Sequence, residues 1–110
     1  MNNMQIDVET EKPLNVGSFG FRIIFNCMVS FREDITPEIV IKKKSGAVVV
    51  KNAHFQSAQS GVVEYTFVPG DLSEPGTYEF QVRQVATDNT FAFRTPVFQL
   101  PVYRSLDIEL

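Results

Sequence analysis

Apolar and polar residues alternate with a period of two along most of the chain. Phe19, Phe21, Ile23, Phe25, Cys27, Val29 and Phe31 occupy successive odd positions. Arg22, Asn26 and Ser30 stand among the even ones. That spacing places the odd side chains on one face of an extended strand, whereas a helix would scatter them around its circumference. The run is longer than an ordinary strand of about 5–6 residues, so a bend or bulge is expected within it. The same rhythm recurs, more briefly, at Met4, Ile6 and Val8, and at Ile39 and Ile41. It returns at Val63, Tyr65 and Phe67, then at Tyr78, Phe80 and Val82, and finally at Phe98, Leu100 and Val102.

Turn residues punctuate these runs. Lys44-Ser45-Gly46 separates Ile39–Ile41 from the valines of 47–51, which predicts a hairpin. Residues 52–58 carry Phe55 as a further short strand, and Gln59-Ser60-Gly61 breaks the chain. Pro69-Gly70 and Thr87-Asp88-Asn89-Thr90 mark two more reversals. Phe91 and Phe93 lead to Pro96, and only the Leu72 region has room for a helical turn. Pro101 interrupts the last run, so that strand is expected at an edge or a bulge, since proline donates nothing to a ladder. Roughly seven to nine short strands at turn-sized spacings predict an all-β sandwich.

Composition agrees. Val, Ile, Thr, Phe and Tyr supply 41 of the 110 residues, and Ala and Leu only 10. Branched and aromatic side chains suit a pleated sheet, while Ala and Leu favour helices. The net charge of −3 argues against a nucleic-acid surface built on bulk charge. One Cys and one His exclude an internal disulfide and a Cys/His zinc cage. No apolar run approaches a membrane span, and residues 1–7 lack the basic start and apolar stretch of a signal peptide. With Cys27 unpaired, folding in a reducing cytosol is the simplest expectation.

One local feature narrows the sandwich type. Leu72-Ser73-Glu74-Pro75-Gly76-Thr77-Tyr78-Glu79-Phe80 resembles the tyrosine corner of immunoglobulin-like domains, with Tyr78 and Gly76 as its structural residues. Phe80 stands where the second disulfide cysteine would be, and its partner is expected at Phe25 or Cys27. The chain has no Trp, so ten Phe residues must supply the core. The segments Ile35–Gly46, Gly61–Phe67, Pro75–Val82 and Thr95–Val102 together resemble the N-terminal immunoglobulin-like domain of phage baseplate upper proteins, over roughly residues 20–103. Ser45-Gly46 departs from the Asp-Gly that those domains often carry at the hairpin tip.

That resemblance implies a non-enzymatic part of a tailed-phage virion, made in the host cytoplasm, in the tail, the baseplate or a capsid decoration. Residues 1–110 are expected to form one immunoglobulin-like β-sandwich domain of 7–9 antiparallel strands, with 104–110 as a docking tail. Its partners would be other virion structural proteins in a homo-oligomer or symmetric assembly, with no nucleic acid, membrane or cofactor involved. Alternation through Arg104, Leu106, Ile108 and Leu110 suggests an extra strand for a neighbour's sheet edge. Met4, Ile6, Val8 and these tail residues are the expected partner contacts. A carbohydrate-binding module is the alternative, requiring exposed aromatics such as Tyr65 or Tyr103 on one face. A small-substrate hydrolase is a third reading.

The remaining candidates for chemistry have plainer explanations. Cys27 and His54 lack a third orienting group, and an apolar Cys behaves as a small hydrophobe. Glu33, Asp34, Asp71 and Glu74 lack the alternating acidic spacing of a calcium loop, so solvated turns are expected. Lys42-Lys43-Lys44 with Lys51 is the one basic cluster, read as an edge-protecting hairpin rather than an anion site. Phe91 and Phe93 are read as core.

Overall fold

The computed structural model describes residues 7–108. Among them are nine strands and no helix. In chain order the strands are β1 (Asp7–Thr10), β2 (Arg22–Asn26), β3 (Glu38–Lys42), β4 (Val48–Asn52), β5 (His54–Ser57), β6 (Val62–Thr66), β7 (Gly76–Val85), β8 (Ala92–Arg94) and β9 (Phe98–Val102). They form two antiparallel sheets, one in the order β1-β2-β6-β5. The other runs β4-β3-β7, after which β8 and β9 share the far edge of β7. The expected all-β sandwich is present.

The period of two explains which faces meet. Ile23 and Phe25 of β2 and Val63 and Tyr65 of β6 point inward from the first sheet, all buried. Ile39, Ile41, Tyr78, Phe80 and Val82 point inward from the second. Phe25 contacts Phe80 and Phe98 at ring-centroid separations of 6.4 and 5.3 Å, so Phe–Phe packing stands where a disulfide would sit. A second aromatic group joins Phe31 to Phe55 and Phe93 near the other end. Each fully buried ring contributes about 1.5–3 kcal/mol of transfer free energy relative to exposure.

The long alternation from Phe19 to Phe31 folds as a five-residue strand with irregular flanks. Gly20 takes φ +87° and turns Phe19 out to solvent, 56% exposed. Met28 adopts φ 57°, which ends the regular ladder and exposes its own side chain. The burial rhythm nonetheless continues through Cys27 and Phe31, because Cys27 N–H donates to Gly61 O and Phe31 N–H to Ala58 O. β9 lies at the sheet edge, with Pro101 opposite Thr77, which is a position proline tolerates.

Within the chain, the described part of the tail follows the sandwich instead of extending from it. Residues 104–108 do not form the strand that their alternation suggested. Tyr103 N–H donates to Leu14 O, and Ser105 Oγ then donates to Val16 O at 2.7 Å. Beyond Ser105 the chain turns, and Ile108 packs back on the core over Gly17. Partial burial of Ile108 and the bond to the Val16 carbonyl hold this segment against the sandwich.

Candidate functional site

Several polar side chains among the described residues tie loops and strands together. At one end of the sandwich the loop between β6 and β7 is tied to the β3–β4 hairpin. Lys43 Nζ donates to Gly70 O and Ser73 Oγ, and Ser45 Oγ donates to Glu74 Oε1. Those bonds from Ser45 hold the Glu74 carboxyl below its usual range. Asp71, 3% exposed, accepts from Tyr65 Oη and Val68 N–H, and lies 3.6 Å from Lys51 Nζ. Burial and the Asp71 carboxylate together push the Tyr65 hydroxyl well above its ordinary value. The basic cluster is therefore structural at Lys43 and Lys51.

Tyr78 is buried. Its hydroxyl donates to Glu74 O at 2.8 Å and accepts from Glu74 N–H at 3.1 Å, closing the corner four residues upstream. Gly76, at φ +125°, lies where a Cβ would meet the Lys44 side chain at 2.7 Å.

The other candidates for chemistry are dispersed. Burial pushes the Cys27 thiol up to about 12, leaving it a protonated hydrophobe. His54 is exposed on β5. Asp34 pairs with Arg32 at 2.6 Å, far along the chain from Asp71 and Glu74. Among the described residues, no three His, Cys, Asp or Glu side chains gather as a metal site would require. A hollow of about 400 Å³ lies between the 32–38 loop and the β7–β8 hairpin. Its acids are engaged: Asp88 accepts from Thr90 Oγ1, and Glu38 from Arg83 Nε at 2.9 Å.

The expected partner residues scatter. Val8 is half-buried in β1 opposite Phe25. Arg104 is exposed, Leu106 is 95% exposed, and Ile108 is turned inward. Met4, Ile6 and Leu110 lie outside the described residues. Nor do the aromatics form a platform. Tyr65 is buried, and the large exposed aromatics among the described residues are Phe19 and Tyr103, on separate segments.

One surface gathers apolar groups without an internal cover. It is the outer face of the β4-β3-β7 sheet, built by the residues that alternate with the core positions. Val50, Val40 and Gln81 are in register across the three strands. Val97, 50% exposed, continues the row beyond β7. Gln81 donates its side-chain amide to Thr95 O at 2.7 Å, which leaves its methylenes as its contribution to the row. Val48, 55% exposed, adds apolar surface beside Val50. A hollow of about 280 Å³ opens here between Val40, Val48, Gln81 and Val97.

Charges flank the row on both sides. On one side Glu38 of β3 is the register partner of Arg83 of β7, and the two form an ion pair. On the other side Lys42 of β3 is the register partner of Glu79 of β7. The signs thus alternate at the four corners of a rectangle, with the apolar row across its middle. Sequence reasoning passed over this face because it read the outer positions of each strand only as the wet side. The available signal was three branched residues in a row at Val48-Val49-Val50, where alternation would allow one or two.

Comparison with known proteins speaks to the fold. No protein-family model matches the chain, and no curated protein is similar to it in sequence. Among solved structures, the chain is similar to CopC from Methylosinus trichosporium OB3b, with a TM-score of 0.60 and 12% identity over 94% of this chain and 95% of that one. At that identity the likeness shows a shared β-sandwich architecture. It also corrects the expectation of a tailed-phage virion part, with the carbohydrate-binding alternative attached to it. The solved structure named above is CopC, not a phage structural protein, and neither family models nor curated proteins give a match that would support a baseplate, tail or capsid role.

Proposed function

We propose that this β-sandwich is a non-catalytic binding module whose working surface is the outer face of the β4-β3-β7 sheet, and that the surface it binds is another protein. The carrying observation is the uncovered row Val50–Val40–Gln81–Val97. Exposed apolar groups collected in one place, rather than scattered singly, favour an interaction site. Charges of both signs at its margins favour a protein surface over a polyanion or a lipid headgroup layer, which select for clustered Lys and Arg. Support for a role without chemistry comes from Asp71, Tyr65, Tyr78 and Cys27, whose side chains are spent on structure.

The test is site-specific photo-crosslinking in the cells from which the chain comes. Benzoylphenylalanine is placed at Val50 and, as a reference, at the exposed Leu106. A protein adduct from position 50 that is absent from 106 and lost on Val97→Asp supports the reading. No adduct from 50, or equal adducts from both positions, contradicts it.

A further inference from the structure

We infer that the outer face of the five-stranded sheet pairs with the same face of a second copy of this chain, about a two-fold axis lying along the apolar row. This rests on the reading of that face as the working surface, and adds the partner and the register. The argument is one of self-complementarity. A two-fold interface brings one patch against itself, so any fixed pattern of charge must attract its own rotated image.

The rectangle described above meets that condition. Going along β3 the outward residues are Glu38, Val40 and Lys42, and the partners in register on β7 are Arg83, Gln81 and Glu79. Rotation by 180° about the row exchanges its two sides. Lys42 then faces Glu38 of the second copy, and Glu79 faces its Arg83. Each row residue meets its own counterpart, so Val50, Val40 and Val97 stack on apolar groups throughout. The other in-plane two-fold, along the strands, also matches the charges but sets Val40 against Gln81. The axis along the row is therefore the one that satisfies both requirements.

In this arrangement the existing Arg83–Glu38 ion pair of each copy meets the register partners Lys42 and Glu79 of the other. Each side of the interface becomes a ring of four charges of alternating sign around a desolvated strip. The footprint is three strands wide and about five residues long, or on the order of 300 Å² in projection at ordinary strand spacing. Contacts of that size sit at the weak end of specific interfaces, so association should be reversible and in the micromolar range or weaker.

The experiment is sedimentation analysis of the full chain across a concentration series, with two charge-swapped variants. Lys42→Glu with Glu79→Lys keeps opposite charges in register within the chain, the net charge and the apolar row. It sets like charges against each other across the axis, and the dimer dissociation constant should rise at least about tenfold. Adding Glu38→Lys and Arg83→Glu to those changes restores opposite charges across the axis and should return association to near the native value. Circular dichroism confirms that each variant is folded. A native chain that stays monomeric at every concentration overturns the inference. So does a native dimer indifferent to the double swap. An adduct at position 50 that holds only a different protein overturns the dimer while leaving the binding-face reading standing.

Discussion

The side chain of Gln84 and the backbone of Arg32 exchange two hydrogen bonds. Arg32 N–H donates to Gln84 Oε1 at 3.1 Å, and Gln84 Nε2 donates to Arg32 O at 2.6 Å. The same amide also donates to Ile35 O at 2.7 Å. Gln84 is completely buried, so one side chain satisfies three backbone groups of a loop that has no ladder of its own.

Gln84→Leu should therefore cost far more than its change in volume implies. It would strand three backbone groups, at about 1–3 kcal/mol for each one that stays buried. We expect a loss of about 2–4 kcal/mol in urea unfolding, with the 32–38 loop gaining fast amide exchange. A loss below about 1 kcal/mol would show that water reaches those groups freely.

Removal of the Tyr78 hydroxyl isolates the contribution of the corner. Tyr78→Phe keeps the ring against Phe80 and deletes both bonds to Glu74. The expected cost is about 1–3 kcal/mol, since the Glu74 backbone groups lie at a partly buried position. The measurement is the shift in denaturation midpoint at unchanged slope.

Two glycines with similar backbone angles should respond very differently. Gly61 (φ +77°) and Gly46 (φ +96°) both occupy the left-handed region. A Cβ at 61 would sit 2.1 Å from Val29 O, whereas at 46 it would meet nothing within 4 Å. Gly46→Ala should cost only the conformational strain, about 1–2 kcal/mol. Gly61→Ala adds a backbone collision that nothing flexible can absorb, and should be the more damaging by at least a further 1 kcal/mol. Thermal melts of the two variants side by side decide it.

Alkaline pH should weaken the fold, beginning with Cys27. Its thiol is raised from 9.0 to about 12 by burial. Below pH 9 it is protonated in both states and its contribution is intact. Between roughly 9 and 12 the unfolded chain loses the proton while the folded chain keeps it, so stability falls as pH rises, at no more than about 1.4 kcal/mol per pH unit. Burial raises the Tyr65 and Tyr78 hydroxyls as well, and extends the decline beyond their ordinary range. Cys27→Ala should flatten the first part of the urea midpoint-versus-pH curve, and an unchanged slope would contradict this assignment.

The sandwich was readable in the sequence because its core is written with a period of two. Phe25, Ile39, Val63, Phe80 and Val82 are all inward in the folded chain, and each is in phase with the alternation of its own strand. The limits of β2 were not readable, since Met28 enters the left-handed region under a tertiary constraint, the bond from Cys27 N–H to Gly61 O. The course of the tail within the chain was not readable for a related reason. Leu106 and Ile108 alternate correctly for a strand, but alternation says nothing about whether a neighbouring edge is within reach. Here Ser105 found the Val16 carbonyl instead. The outer face escaped notice because its significance lies in register. Glu38, Lys42, Glu79 and Arg83 become a rectangle only once β3 and β7 are aligned.

The most direct test of that face is methyl NMR on dilution. Valine methyl signals are followed from millimolar concentration to the lowest measurable. The methyls of Val40, Val48, Val50 and Val97 should shift together along one binding curve, while Val68 and Leu106, exposed elsewhere, stay fixed. Concentration-independent signals throughout, or shifts confined to Val68 and Leu106, would contradict pairing through the β4-β3-β7 sheet.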